Sequence, residues 1–374
     1  MVVDEQLITK CRTALSFAAG QLRHLIRAYP DFFPMYTHAG KWTHGGEVWT
    51  NWCEGFLCGQ LWLLHRYTRE DWWRERAIHY CRLMEPRKAD RNVHDLGFLF
   101  WPSWKRWYDL SGEQDVKNVV VEAGRTMGLR YQERGRYLQS FLSADSLFID
   151  IMMNIGIVFY AARQINDENL WRVACDHCLT TRRFLVRGDG STAHEGIFDT
   201  QSGEFIRQST QQGWRPDSSW ARGQAWALYG FGTAYACTGD AHFLQTAQSC
   251  ADYYIERTPV SGVPPNDWDE PHPAHPYESS AAAVAASGLL NLASLCGDVT
   301  QAQRYHGYAL RIIETLLDPL FLASNTPGWE GILMHGVYHE RKHLGVDESV
   351  MWGDYFLLEA LLKVIGEIKG LDCT

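Results

Sequence analysis

Residues 52–68 read WCEGFLCGQLWLLHRYT, and residues 70–85 read EDWWRERAIHYCRLME. The first stretch is apolar on nearly every face of a helix. The second has one apolar stripe and one charged face. The alternation recurs down the chain. Segments 95–109, 145–164, 219–237, 278–296 and 349–367 are apolar or small almost all round, whereas 112–132, 167–186, 240–257 and 298–317 are amphipathic. Residues 4–29 supply one more helix. Several amphipathic members open on a start signal: Ser111-Gly112-Glu113, Asp167-Glu168, Gly239-Asp240 and Gly297-Asp298. A side-chain oxygen there accepts the first free backbone N–H groups, and an acid suits the positive end of the helix.

The chain therefore reads as all-α, with about twelve helices that alternate in kind. A helix apolar on all faces must be covered on all faces. The economical arrangement is an inner ring of about six helices inside an outer ring of about six, an (α/α)6 barrel. It is expected to form a single domain over residues 1–374. A helical solenoid is the alternative, and no fixed-period repeat supports it. The irregular pieces are 30–51, 133–144, 187–218, 259–277 and 318–348. Several join an outer helix to the next inner one, so they should crowd one mouth. A small hairpin is expected near 194–207, turning at Gln201-Ser202-Gly203.

Composition narrows the function. Of 374 residues, 46% are hydrophobic and 21% charged, which marks a globular chain. Lys and Arg number 35 against 44 Asp and Glu, a net charge of −9. That balance argues against nucleic acid or an anionic membrane as partner. No apolar run is long enough to span a bilayer. The opening MVVDEQLITKCRTALSFAAG lacks a signal peptide's basic-then-apolar order, so the expectation is cytoplasmic. The ten cysteines are scattered: Cys11, Cys53, Cys58, Cys81, Cys175, Cys178, Cys237, Cys250, Cys296 and Cys373. Cys175 and Cys178 form a C-x-x-C with no second pair, which two core thiols on a helix also produce. The 16 tryptophans fit large core fillers, and they equally fit stacking on the apolar faces of sugars.

Two carboxylates stand out. Asp95, in Asn92-Val93-His94-Asp95-Leu96-Gly97-Phe98, begins an apolar helix, where capping is the commonest job for an aspartate. The His94-Asp95 pair also fits metal phosphohydrolases, but further ligands are not evident, and no metal is expected. Asp150 sits in Phe148-Ile149-Asp150-Ile151-Met152-Met153-Asn154, a wholly apolar stretch. A buried carboxyl either finds hydrogen-bond partners between helices or stays protonated. In the second case, burial and a second carboxylate make it an acid near neutral pH. The densest polar segment is 207–226, in which Trp220, Arg222 and Trp226 fall at helical spacing. Arg222 is either an interhelical ion pair or a match for a ligand carboxylate. No phosphate loop, H-E-x-x-H or G-x-S-x-G is present.

These pieces resemble the unsaturated glucuronyl hydrolases of glycoside hydrolase family 88 over nearly the whole chain, in order. They are Trp52-Cys53-Glu54-Gly55-Phe56 before Leu61-Trp62, His94-Asp95-Leu96-Gly97-Phe98, Ile149-Asp150 with Met153-Asn154, and Arg182-Arg183-Phe184-Leu185-Val186-Arg187-Gly188-Asp189. They continue with Gln212-Gly213, Ser219-Trp220-Ala221-Arg222-Gly223-Gln224-Ala225-Trp226, Ser279-Ser280-Ala281 with Gly288-Leu289, and Trp352-Gly353-Asp354-Tyr355 before Leu358-Glu359-Ala360-Leu361. The resemblance implies the (α/α)6 barrel. It also implies oligosaccharide substrates that carry a Δ4,5-unsaturated uronic acid at the non-reducing end. It makes Asp150 the general acid and base and Asp95 its carboxylate partner. It places Trp52, His94, His194, Thr210, Gln212, Trp220, Arg222 and Trp226 on substrate-contacting positions. The chemistry requires no metal or organic cofactor, and a monomer or weak homodimer is expected.

The chain departs from the family in places. Cys53 stands where Thr is frequent. Phe141 takes a stacking position that is Trp in some relatives, in a 133–144 loop that looks shorter. A Ser-x-x-Ser-x-Lys signature linked to 6-sulfated substrates is replaced by His339-Glu340-Arg341-Lys342-His343-Leu344.

The chemistry suits these groups. Protonation of C4 of the vinyl ether leaves a cation at C5, and water adds there. One carboxyl serves as acid and then as base, an ionised Asp95 would steady the cation and raise the pKa of Asp150, and Arg222 would orient the substrate carboxylate. Other readings are an unsaturated rhamnogalacturonyl hydrolase, an inverting glycosidase, a sugar epimerase using paired histidines, and a glycan-binding protein without turnover.

Overall fold

In a computed structural model of the chain, residues 3–42 and 50–371 are described. Residues 43–49 of the 30–51 piece, the first two residues, and Cys373 lie outside them. Thirteen α-helical segments follow one another: α1 (Glu5–Ala28), α2 (Glu54–Thr68), α3 (Asp71–Met84), α4 (Leu96–Phe100), α5 (Arg106–Ser111), α6 (Gln114–Gly128), α7 (Ile151–Ile165), α8 (Glu168–Leu185), α9 (Ala221–Thr238), α10 (Ala241–Arg257), α11 (Ser279–Leu295), α12 (Val299–Leu316) and α13 (Met351–Val364). A π-helical turn, Trp101–Lys105, joins α4 to α5 as one bent rod. Pro102 brings no N–H to that turn, so the regular helical register does not run through it.

The inner ring runs α2, the α4–α5 rod, α7, α9, α11 and α13, and α13 closes back on α2. Outside it, α1 packs on α13, α3 on α2, α6 on α4 and α7, α8 on α7, α10 on α9 and α12 on α11. Burial follows the sequence pattern. In α9 every residue from Ala221 to Ala234 is buried, and in α11 every residue from Ser279 to Leu289. In α6 the buried set is one stripe, Val116, Val119, Val120, Ala123, Gly124, Thr126 and Met127.

Joins from an inner helix to its outer partner are only two or three residues long. Most start on a left-handed residue that ends the inner helix: Arg69, Gly112, Asn166 or Gly239. Joins from an outer helix to the next inner one are the long irregular segments, and all of them arrive at the N-terminal ends of the inner ring. They carry small antiparallel pairings, including Gly336–His339 with Leu344–Glu348.

Three local expectations change. Residues 146–148, expected inside a helix over 145–164, are a buried strand paired to Glu195–Phe198, and α7 starts only at Ile151. A short run buried on both faces carries no period that separates strand from helix. The expected hairpin is Glu195–Phe198 with Phe205–Ser209, so it is one part of a three-stranded sheet. Gly112 does not start a helix: its φ of 67° caps the C-terminus of α5, and Glu113 takes the N-cap position without a side-chain bond. The starts at Asp167, Asp240 and Asp298 hold, each side chain accepting from a backbone N–H of the first turn.

Among the described residues eight cysteines are free thiols. Cys237 is disulfide-bonded. Among the described residues no group of three or more His, Cys, Asp or Glu is arranged to hold a metal, and no helix is long and apolar enough to cross a membrane.

Candidate active site

The N-cap positions of the inner helices meet at the mouth, and two of them are Asp95 (α4) and Asp150 (α7). Neither carboxyl caps its helix. A capping residue ordinarily has extended φ/ψ, which aims its side chain at the first N–H groups. Asp95 instead has φ −98°, ψ 18°, and Asp150 has φ −57°, ψ −29°. The N–H of Phe98, third in α4, is taken by Asn154 Oδ1 at 2.6 Å. In α7 the first turn is tight, with Met152 N on Ile149 O and Met153 N on Asp150 O, both at 3.0 Å. Both carboxyls are thereby left for the mouth.

Each aspartate faces a histidine. His94 Nε2 lies 3.3 Å from Asp95 Oδ1, and His194 Nε2 lies 3.6 Å from Asp150 Oδ2. The far nitrogen of each ring accepts from the backbone. Phe141 N donates to His94 Nδ1 at 2.9 Å, and Gln211 N and Gln212 N donate to His194 Nδ1 at 3.1 and 3.3 Å. A neutral imidazole that accepts at Nδ1 carries its proton at Nε2. Burial keeps both rings neutral: it holds His94 well below the ordinary range and His194 down to about 3, with the charges of Arg130 and Arg222 respectively adding to it. Each aspartate thus looks at an N–H donor. Asp150 Oδ2 and His194 Nε2 are buried with no hydrogen-bond partner. That is the state of a group kept for something that arrives from outside.

Burial pushes the Asp150 carboxyl up to about 6, while Arg222 pulls the other way. Asp95 is also raised, first by burial and then by the negative charge of Asp150, with Arg130 opposing. Burial is the first cause at both carboxyls, and like charge keeps the two from ionising together.

Around the pair runs a belt of rings. Phe141 stacks on His94 with centroids 5.6 Å apart. Phe148 bridges His94 and His194, at 5.6 and 4.7 Å. Trp220 follows at 4.5 Å from His194, and the Arg222 guanidinium lies 4.4 Å over Trp220 and 5.1 Å over Trp352. Trp52 packs 4.7 Å from Trp352 and 5.4 Å from Phe98, which returns to the start of α4. Thr210 Oγ1 meets His194 Nδ1 at 3.2 Å and accepts from Gly213 N at 2.8 Å.

The structure therefore brings together all eleven residues expected from the sequence, with two qualifications. Trp226 is fully buried against Phe98 and Phe356, beneath the floor of the site rather than in it. Arg222 is only 1% exposed. It donates to Gln212 Oε1, to Val337 O and, at 2.9 Å, to Tyr338 O. Three of its five N–H donors thus build the wall, and its charge acts on Asp150 and His194. The sequence reading did not single out Phe148, Tyr338, Trp352 or Asn154. Trp352, Asn154 and Phe148 stand inside quoted stretches, and nothing local marks Tyr338.

A double ring of helices with two carboxyls and a belt of tryptophans at one mouth fits a glycoside hydrolase of the (α/α)6-barrel class. The chain is 33% identical over 370 residues to the unsaturated glucuronyl hydrolase of Bacillus sp. (strain GL1), covering 96% of this chain and 97% of that protein. It is 31% identical over 326 residues to the unsaturated chondroitin disaccharide hydrolase of Streptococcus agalactiae serotype III (strain NEM316), covering 84% of this chain and 81% of that one. The crystal structure of the Bacillus sp. GL1 enzyme superposes with a TM-score of 0.89 at 31% identity, over 94% of this chain and 96% of that one. No family model matches. The chain belongs to the unsaturated glucuronyl hydrolase family.

Proposed function

We propose that this chain removes a Δ4,5-unsaturated glucuronic acid from the non-reducing end of oligosaccharides left by polysaccharide lyases, with Asp150 as general acid and base and Asp95 as its partner. The observation that carries the reading is the pair itself: two inner-helix aspartates turned away from capping, raised by burial, each facing a neutral N–H donor. One relative is named an unsaturated glucuronyl hydrolase and the other an unsaturated chondroitin disaccharide hydrolase.

The protonated Asp150 carboxyl gives its proton to C4, and the C4=C5 electron pair forms the C4–H bond. Positive charge develops at C5 and on the ring oxygen. The negative charge left on the carboxyl pair sits among the Nε2–H groups of His94 and His194, placed before the step. Water then bonds to C5 and gives its proton to Asp150. The resulting hemiketal opens to a C5 ketone and a C1 hemiacetal. Collapse at C1 expels the aglycone alcohol and leaves an α-keto uronate. Trp52, Phe141 and Trp220 offer faces for the sugar rings, and Gln212, Thr210 and Arg222 hold the wall that orients them.

The reaction partner is the anionic oligosaccharide. The site is complete within one chain among the described residues, which supports a monomer or weak homodimer. Closure of the ring from first to last inner helix supports one catalytic domain over residues 1–374. Eight free thiols among the described residues favour a cytoplasmic setting, and the disulfide at Cys237 weighs against it.

The test is a panel of lyase-generated disaccharides, sulfated and unsulfated, followed by loss of the ultraviolet absorbance of C4=C5. In D₂O, deuterium should appear at C4 of the product. Turnover of saturated glycosides, or deuterium elsewhere, would instead support an ordinary glycosidase and sink this mechanism.

A further inference from the structure

The first turn of a helix leaves backbone N–H groups without intrahelical partners. In α4 the first intrahelical bond runs from Leu99 N to Asp95 O at 3.0 Å, so the N–H groups of Leu96, Gly97 and Phe98 need other acceptors. The residue in position to serve them is Asp95, because an aspartate at the N-cap ordinarily accepts from the second or third helical N–H. Phe98 N instead donates to Asn154 Oδ1, on the next helix of the ring, at 2.6 Å. The same amide donates through Nδ2 to Asp150 O at 3.1 Å. Asn154 is fully buried. A Cβ on Gly97 would stand 2.4 Å from Asn154 Cα, so only glycine lets the two helices approach this closely. One side-chain amide therefore ties the backbone carrying Asp95 to the backbone carrying Asp150.

We propose that Asn154 is a positioning residue that caps α4 in place of Asp95, releasing the Asp95 carboxyl to the mouth and fixing its place beside Asp150. The proposal rests on the reading of Asp95 and Asp150 as the reacting pair. A carboxyl used as a cap is held ionised by the N–H groups and the helix dipole. The released one keeps the proton that burial favours. Without the Asn154 acceptor, Asp95 turns back onto Phe98 N, ionises, and leaves the pair.

The experiment compares Asn154→Ala, Asn154→Ser and the double variant Asn154→Ala/Asp95→Asn in the full-length enzyme. Asn154→Ala is expected to lower kcat about 10²-fold with KM little changed, the size of a misplacement near 1 Å. Its pH profile should lose the high-pH limb to lower pH, and its Tm should stay near wild type because Asp95 takes over the cap. Asn154→Ser should show the same shift to a smaller extent. On an Asp95→Asn background, Asn154→Ala should change kcat less than about twofold, because the two changes act through one group. A crystal structure of Asn154→Ala should place the Asp95 carboxylate within hydrogen-bond reach of Phe98 N. A rate loss with an unmoved pH profile, full additivity in the double variant, an Asp95 still facing the mouth, or unfolding of both single variants each overturns the proposal. Should wild type turn over no unsaturated disaccharide, the reading of the pair falls, yet the crystal structure still reports whether Asn154 holds Asp95 off its cap.

Discussion

Among the described residues six aspartates begin helices, and they divide by ring. Asp4, Asp167, Asp240 and Asp298 begin outer helices, with ψ between 96° and 134°, and each side chain accepts a hydrogen bond from the first turn. Asp95 and Asp150 begin inner helices with ψ of 18° and −29°, and neither side chain does so. Residue type and helix position are the same. The difference is that Asp95 and Asp150 both enter their helices at non-extended backbone angles and that, at Asp95, the Phe98 N–H is already held by Asn154 Oδ1; together these leave the carboxyl facing the mouth. Function here comes from a capping residue denied its cap.

The sharpest way to break this comparison is Asp150→Asn. It should lower kcat by about 10²–10⁴-fold, the range for a placed acid and base, while the far-ultraviolet helical signal is unchanged. A variant retaining wild-type kcat would remove Asp150 from the chemistry. Next, Asp95→Asn keeps the shape but cannot share the charge, and a drop of about 10²-fold in kcat is expected in steady-state assays.

Stability should move in the opposite direction. Asp150 has a folded pKa of about 6 against an ordinary 3.8, so the native state holds this proton longer than the unfolded chain. The stabilisation from the group is complete below about pH 4 and is lost as pH rises through 6. Denaturant melts at pH 8 should find Asp150→Asn more stable than wild type by up to about 3 kcal/mol, with the gain vanishing at pH 4. The same titration sets the rate: kcat should fall as pH rises above about 6, where Asp150 no longer carries its proton. Asp240→Ala is the smallest change. Loss of an ordinary cap should cost about 1 kcal/mol in the melt and leave kcat and its pH profile alone.

The alternation of all-round and one-face apolar segments made the two rings legible from sequence, since a helix apolar on every face has no other home. The start signals at Asp167, Asp240 and Asp298 were equally plain. What Asp95 does at its helix start was not, because capping depends on φ and ψ set by the preceding loop. The same holds for 146–148, where three residues buried on both faces look alike in a helix and a strand. Arg222 reads from sequence as either an interhelical ion pair or a match for a ligand carboxylate, and its wall-building contacts are invisible there. Its acceptors, Val337 O and Tyr338 O, are backbone atoms more than 100 residues away and leave no mark on side-chain pattern.

Joins of two or three residues at the far rim fasten five of the six inner helices to their own outer partners. Every long insert is consequently a cassette anchored at both ends to a frame that does not re-register when the insert changes. Exchanging the 186–220 or 317–350 segment with that of a relative should alter which glycan enters while the twelve-spoke wheel beneath stays intact.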